Sequence, residues 1–199
     1  MNVQLLRVQE ESGNFTERLS VFAFFDDPDG NADFGEMELT HSDTGLFWVI
    51  TPDESFVRLR GQNRWTGVNN LAGPAGKQFP SGNYSLKISD LAGNEDIYVF
   101  ELVRPVFPES APVAFSMSGG EWELNMNPDA GDFVHTFFLL YNSGEELVYS
   151  WRVPGTGQPQ TRGTISALKT LGRDITFLQC YTENAAETAG VLLTPVRLE

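Results

Sequence analysis

The stretch from Pro80 to Leu102 constrains this chain more than any other. Tyr84, Leu86 and Ile88 alternate with Ser85, Lys87 and Ser89, the two-residue period of a strand with one buried face. Asp90 to Asn94 supplies turn residues and Ile97 to Leu102 is a second β-rich run, so the segment predicts a hairpin. The same grammar fills the rest of the first half. Val3–Gln9, Leu19–Phe25, Phe34–Thr40, Leu46–Thr51 and Phe56–Leu59 each read as strands separated by Gly, Asn, Asp or Pro. Gly61 to Gly76 reads as a loop, being dense in glycine and asparagine. About seven strands in roughly a hundred residues is the strand density of a β-sandwich.

The second half has the same style. Val113–Met117 leads through Gly119-Gly120 to Trp122, Leu124 and Met126, which alternate with Glu121, Glu123 and Asn125. Phe133–Tyr141, the turn Asn142-Ser143-Gly144 and Leu147–Val153 predict another hairpin. Ile175–Thr182 and Val191–Leu198 complete the pattern. Ile165, Leu168 and Leu171 have helical spacing, but β-branched neighbours and flanking glycines favour strand and turn there. Between the halves, Arg104–Pro112 holds three prolines in nine residues, and such a segment is expected to be an extended, semi-rigid spacer. The predicted organisation is therefore all-β: a first sandwich over 1–103, a Pro-rich linker over 104–112 and a second sandwich over 113–199.

Pro80-Ser81-Gly82-Asn83-Tyr84, leading into its strand, resembles the tyrosine corner of immunoglobulin-like and fibronectin type III-like sandwiches. The first half is similar to bacterial immunoglobulin-like domains, which carry an Asp-Pro-Asp-Gly turn like that at Asp27–Gly30. The second half resembles a fibronectin type III-like domain, with Ile175 where a corner tyrosine would stand. The resemblance implies two tandem sandwiches, and that Tyr84 ties its hairpin to the preceding corner. Its motifs are architectural and shared by proteins of unrelated function.

The charge balance narrows the partners. The 199 residues hold 13 basic and 27 acidic side chains, for a net charge of -14. Both halves are acidic, so neither offers the cation clusters that phosphate backbones or anionic lipid require. The hydrophobic fraction of 41% and the aromatic fraction of 12% suffice for buried cores. Cys180 is alone, which excludes an intrachain disulfide and a thiolate zinc site. No apolar run approaches the ~18 residues of a membrane span, and Met1–Arg7 does not begin as a signal peptide. A sandwich of this bacterial type is expected outside the cytoplasm, periplasmic, surface-anchored or secreted, with its signal peptide absent from this chain.

Three constellations are candidates for chemistry. Asp26–Asp33 packs carboxylates around Pro28 and Gly30, and two readings stand: a turn capped by its own side chains, or a calcium site on Asp27, Asp29, Asn31 and Asp33. Its glycine, fourth counted from Asp27, is not at the sixth position that an EF-hand loop requires. Arg58, Arg60, Arg64 and Trp65 place three cations and an indole within eight residues, a combination able to hold an anionic or carbohydrate ligand by bidentate hydrogen bonds and stacking. The alternative reading pairs these arginines with local acids and uses Trp65 to plug the sandwich. Trp48, Trp65, Trp122, Trp151, Tyr149 and Tyr181 are candidates for a sugar platform, with Trp48 and Trp151 expected in the core and Trp65 exposed.

Catalysis finds no foothold. His41 and His135 belong to no motif, Cys180 in a strand behaves as a small hydrophobe, and no nucleophile elbow, zinc-protease helix, phosphate loop or dinucleotide fingerprint occurs. The expectation is a non-catalytic binding or structural module of the bacterial cell envelope, such as a lipoprotein ectodomain. It would act through protein–protein contacts at loops or sheet edges, without a cofactor unless calcium binds. The alternative is a glycan or anionic-ligand binder centred on Arg58–Asn70.

Overall fold

The computed structural model describes residues 1–24, 34–74, 78–154 and 159–198, and of Arg60 the backbone alone. The calcium reading on Asp27, Asp29, Asn31 and Asp33 lies outside the described residues. The chain forms two compact units, one of Met1–Leu5 with Glu17–Pro105 and one of Leu6–Thr16 with Val106–Glu199. The strands β1 (Asn2–Gln9) and β2 (Phe15–Phe24) form a hairpin whose base belongs to the first unit and whose tip belongs to the second.

In the first unit the remaining strands are β3 (Phe34–His41), β4 (Phe47–Ile50), β5 (Phe56–Arg60), β6 (Asn63–Ala72), β7 (Gly82–Asp90) and β8 (Glu95–Leu102). One sheet runs β1-β2-β6-β5 and the other β4-β3-β7-β8, with each determined pairing antiparallel. Lettered in chain order with β4 as C′, these are A-B-E-D and C′-C-F-G, the immunoglobulin arrangement. Alternation in each strand sends Leu5, Leu19, Val21, Met37, Leu39, Ile50, Tyr84, Leu86 and Ile88 inward, where all are at most 1% exposed.

Tyr84 sits near the start of β7, the F strand, and its hydroxyl donates to the Pro80 carbonyl at 2.8 Å. This is the tyrosine corner the sequence implied. The ring stacks on Phe100 and lies 4.7 Å from the His41 imidazole. Burial pushes the phenol up from 10.0 to about 12, with Arg104 opposing in part. The fold thus favours the neutral phenol, so this stabilisation is complete below pH 10 and is lost as the pH rises through about 12. Tyr84→Phe is expected to cost about 1 kcal/mol at neutral pH by removing the hydrogen bond. It is also expected to flatten the alkaline loss of stability, both read by urea unfolding between neutral pH and pH ~11.

The second unit contains β9 (Val113–Ser118), β10 (Glu121–Met126), β11 (Phe133–Asn142), β12 (Leu147–Arg152), β13 (Gln160–Thr164), helix α1 (Ile165–Lys169), β14 (Ile175–Asn184), β15 (Ala189–Leu192) and β16 (Val196–Arg197). The sheet β13-β10-β9 is E-B-A; the sheet β12-β11-β14 is C′-C-F, with a G strand broken into β15 and β16, both on β14. Between them pack Trp122, Leu124, Phe133, Phe138, Leu140, Leu168, Leu178 and Val191. Trp122 lies flat across Gly163, its register partner on β13, where any Cβ would overlap the indole. Ile175, where the second corner tyrosine is missing, is buried in this core.

The structure corrects two local readings. Residues read as a loop from Gly61 include the ten-residue strand β6; Gly67 is an interior strand position, and Thr66 and Val68 are buried. Residues 165–169, read as strand and turn, form one α-helical turn. The Thr164 side chain caps it by accepting from the Ala167 amide at 3.3 Å. The proline-rich segment divides at Pro105/Val106, and Phe107 packs on the second core and 5.7 Å from Phe133. Its distal part is therefore folded structure. The hairpin tip joins the same unit: Arg7 donates to the Pro108 carbonyl at 3.2 Å and lies over the Phe107 ring, and Phe15 packs on the core.

Candidate functional site: the β5–β6 hairpin

The cations and indole singled out from sequence fall on one hairpin. Phe56-Val57-Arg58-Leu59-Arg60 is rich in strand formers, Gly61-Gln62 turns with Gly61 at φ 63°, and β6 returns. The antiparallel register sets Arg58 opposite Trp65, Leu59 opposite Arg64 and Arg60 opposite Asn63. Directly opposed residues share a face and successive ones alternate. Arg58 and Trp65 are thereby brought together, whereas Arg64 lies on the other face with Leu59.

The Arg58–Trp65 face is aromatic. Trp65 also pairs with Phe24 across β2, with ring centroids 6.2 Å apart, and is half-buried. One rung along, Phe22 faces Gly67. Its ring lies over that glycine, where a Cβ would stand 2.9 Å from Phe22 Cδ1, and the Arg58 guanidinium covers it at 4.0 Å from the centroid. Phe22 is consequently 1% exposed although it lies on the outer side of its sheet. A cation seated on an aromatic face in this way is held by the ring quadrupole.

The edge of β5 is the second property of the hairpin. It is the terminal strand of its sheet, and Phe56, Val57 and Leu59 are 53%, 48% and 72% exposed. Terminal strands offer unpaired N–H and C=O groups, and proteins ordinarily keep large apolar side chains off them. The sequence that contains it is also unusual in charge. From Ser55 to Ser89 the sequence has Arg58, Arg60, Arg64, Lys77 and Lys87 and no carboxylate, in a chain of net charge -14, although Lys87 of this run lies on β7 in the other sheet, paired with Glu38 and Glu95. That acid-free run is legible in the sequence as a basic island extending beyond the arginine cluster.

The six aromatics considered as a platform do not form one. Trp122 is core, Trp151 packs edge-on against it at 6.1 Å, and Tyr181 lies on the opposite side of its sheet beside Phe137. In the first unit Trp48 is half-buried, stacked on Phe79, with its indole N–H donating to the Ala72 carbonyl at 2.9 Å. Tyr149 is 41% exposed on β12.

Elsewhere the two histidines and the cysteine are held in structural roles. His41 is buried, with Nδ1 2.7 Å from the Thr44 hydroxyl and Nε2 3.0 Å from the Ser81 carbonyl. That carbonyl can only accept, so Nε2 carries the proton. Arg152 donates to His135 Nδ1 at 2.6 Å. Cys180 is buried, and desolvation pushes its thiol well above the ordinary range, away from a reactive thiolate. An open cleft of about 360 Å³ in the second unit is lined by Val113, Phe115, Leu178, Cys180, Leu193 and Val196, among others. Among the described residues no three His, Cys, Asp or Glu side chains cluster to hold a metal, and no helix is long and apolar enough to cross a membrane.

Fold and topology together define an all-β protein of immunoglobulin-like β-sandwich class. No family model matches the chain, and no curated protein matches its sequence. Nineteen solved chains match it in structure, among them two that align over most of its length. Dimeric latent PorU from Porphyromonas gingivalis is 12% identical over 92% of this chain, with TM-score 0.31, and this chain spans 18% of that one. Murine CEACAM1b is 10% identical over 100% of this chain and 99% of its own, with TM-score 0.28.

Proposed function

We propose that this protein is a non-catalytic binding or structural module of a bacterial cell envelope, built from tandem sandwiches and acting outside the cytoplasm through protein–protein contacts. The observation that carries the reading is the edge of β5, a terminal strand with three exposed apolar side chains inside a basic, acid-free segment. An extended partner segment can add to such an edge, taking register from main-chain hydrogen bonds and specificity from alternate side chains. Arg58 and Arg64 on the same hairpin favour a partner whose strand is flanked by carboxylates. Binding of a small anion or sugar by Arg58, Arg64 and Trp65 is less well supported, since Arg58 covers Phe22 and Arg64 lies on the other face.

The test is site-specific photocrosslinking in cells of the native host. A photoreactive residue at Leu59 is expected to give a discrete higher-mass adduct in the envelope fraction. The same residue at exposed Lys169 is not. Leu59→Glu, with a crosslinker at Val57, should abolish the adduct. Absence of any adduct from Leu59, or recovery of the protein in the cytoplasm, overturns the reading.

A further inference from the structure

We propose that the outer face of the sheet β4-β3-β7-β8 is a self-recognition surface that pairs two copies of this chain face to face. This surface is separate from the β5 edge and does not rest on that reading.

The register defines two rungs across this face. One is Val49–Glu38–Lys87–Ile97 and the next is Phe47–Thr40–Ser85–Val99. Their strand neighbours Met37, Leu39, Leu86 and Ile88 point into the core at 0% exposure, so these eight side chains point away from it. At the two margins Phe47, Val49, Ile97 and Val99 are 67%, 44%, 63% and 70% exposed. The face thus has two apolar margins separated by a polar centre. Single exposed apolar residues are ordinary, whereas two pairs aligned on the rungs of one sheet are a patch.

The order of chemistry along the first rung identifies the occupant. Read from β4 to β8 it is apolar, acid, base, apolar; read backwards it is apolar, base, acid, apolar, its own charge complement. A two-fold axis parallel to the strands, between β3 and β7, performs that reversal. It sets Glu38 of one copy over Lys87 of the other twice, Val49 over Ile97 twice, and, on the next rung, Phe47 over Val99 and Thr40 over Ser85. On the following rung, where Glu36 pairs with Ser89 and Ser89 with Glu95, Glu36 meets Ser89 of the second copy and no carboxylates oppose. An isologous interface requires such self-complementarity, and two sheets packed face to face keep their strands within about 30° of each other. Within one copy Lys87 Nζ is 4.0 Å from Glu38 and 3.6 Å from Glu95, with all three side chains partly exposed. Such solvated pairs exchange partners at little cost.

Four strands spaced about 4.8 Å apart make a face smaller than a standard interface of about 800 Å² per partner, so pairing is expected in the micromolar range or weaker. The experiment is sedimentation equilibrium of the whole chain from ~10 to ~500 µM in ~0.15 M salt, where charges beyond about 8 Å are screened. The wild type is expected to show a monomer–dimer equilibrium. Glu38→Lys or Lys87→Glu alone juxtaposes like charges twice and should weaken dimerisation at least ten-fold. Mixed one to one, these two variants should pair with each other, because one copy presents two acids where the other presents two bases. An intramolecular role for the pair cannot produce that recovery. Val99→Glu should abolish dimerisation, and Leu59→Glu, on the β5 edge, should leave it unchanged. Both charge positions are partly exposed, and unaltered circular dichroism and melting confirm folding. A wild type monomeric throughout, variants that dimerise like it, or a mixture that stays monomeric each overturn the proposal.

Discussion

Replacing Glu17 with alanine is expected to remove about 3 kcal/mol of folding stability, the low end for breaking a buried ion pair by deleting one partner. Glu17 is 8% exposed on β2, and its carboxylate gathers three donors. Arg104 Nη1 donates to Oε2 at 3.0 Å, Arg104 Nη2 makes a second, shorter bond to Oε1, and the Phe79 amide donates to Oε2 at 3.2 Å. Arg104 also donates to the Phe79 carbonyl at 2.8 Å. The cluster therefore fastens the loop before β7, the end of β8 and β2 together, one residue from the Pro80 carbonyl that accepts from Tyr84. Without Glu17 the amide and guanidinium lose their acceptor in a largely buried place. Arg104 remains about a quarter exposed and can turn to water, which sets the low end. The carboxylate's bonds hold the Arg104 guanidinium firmly charged. Arg104→Lys, which cannot bind in the same fork, should recover only part of the loss. Urea unfolding followed by circular dichroism measures it; a loss under ~1 kcal/mol would show the cluster to be replaceable by water.

Phe138→Ala is expected to be of similar or larger size, about 3–5 kcal/mol, from lost burial and the cavity left behind. Phe138 is fully buried on β11 and lies 5.4 Å from Phe115, 5.0 Å from Trp122 and 5.8 Å from Trp151, near edge-on in each case. Three rings on three strands thus converge on one side chain, and edge-to-face pairs add to burial alone. Near-ultraviolet circular dichroism should lose its tryptophan signature with the stability. Phe138→Leu, which keeps most of the volume, should be milder. Equal losses for the two would contradict the packing account.

What was legible in the sequence was whatever is local. Tyr84 and its strand announced the corner because alternation and the preceding turn are written in consecutive residues. Trp122, Leu124 and Phe133–Tyr141 announced strands for the same reason. β6 was hidden because Gly67, Asn69 and Asn70 are residues of turns; the close approach of the β2 backbone, with Val21 O inside the space a Cβ would fill, and of the Phe22 ring explains an interior glycine. At α1, the spacing of Ile165, Leu168 and Leu171 was outweighed by neighbours that favour strands, and the Thr164 cap decided the issue locally. In the site, Arg58 and Trp65, seven residues apart in sequence, stand opposite each other across β5 and β6. The separation of Arg64 follows from one-residue alternation once β5 and β6 are known to pair. The rungs of the β4-β3-β7-β8 face depend on register between four strands, which a strand-by-strand reading does not supply.

The divided hairpin has a consequence for how this chain acquires its structure. Residues 6–16 belong with residues 106–199, so Phe15 and Arg7 leave the ribosome about a hundred residues ahead of the core and the Phe107 ring that receive them. The tip must wait while the first unit's own strands are made, and contacts of such high sequence separation slow folding. During synthesis, at roughly 5–20 residues per second, the apolar side chains flanking the hairpin tip, Leu6, Val8 and Phe15, are therefore bare for several seconds. A chaperone or the neighbouring chain on the same message has that interval in which to find them.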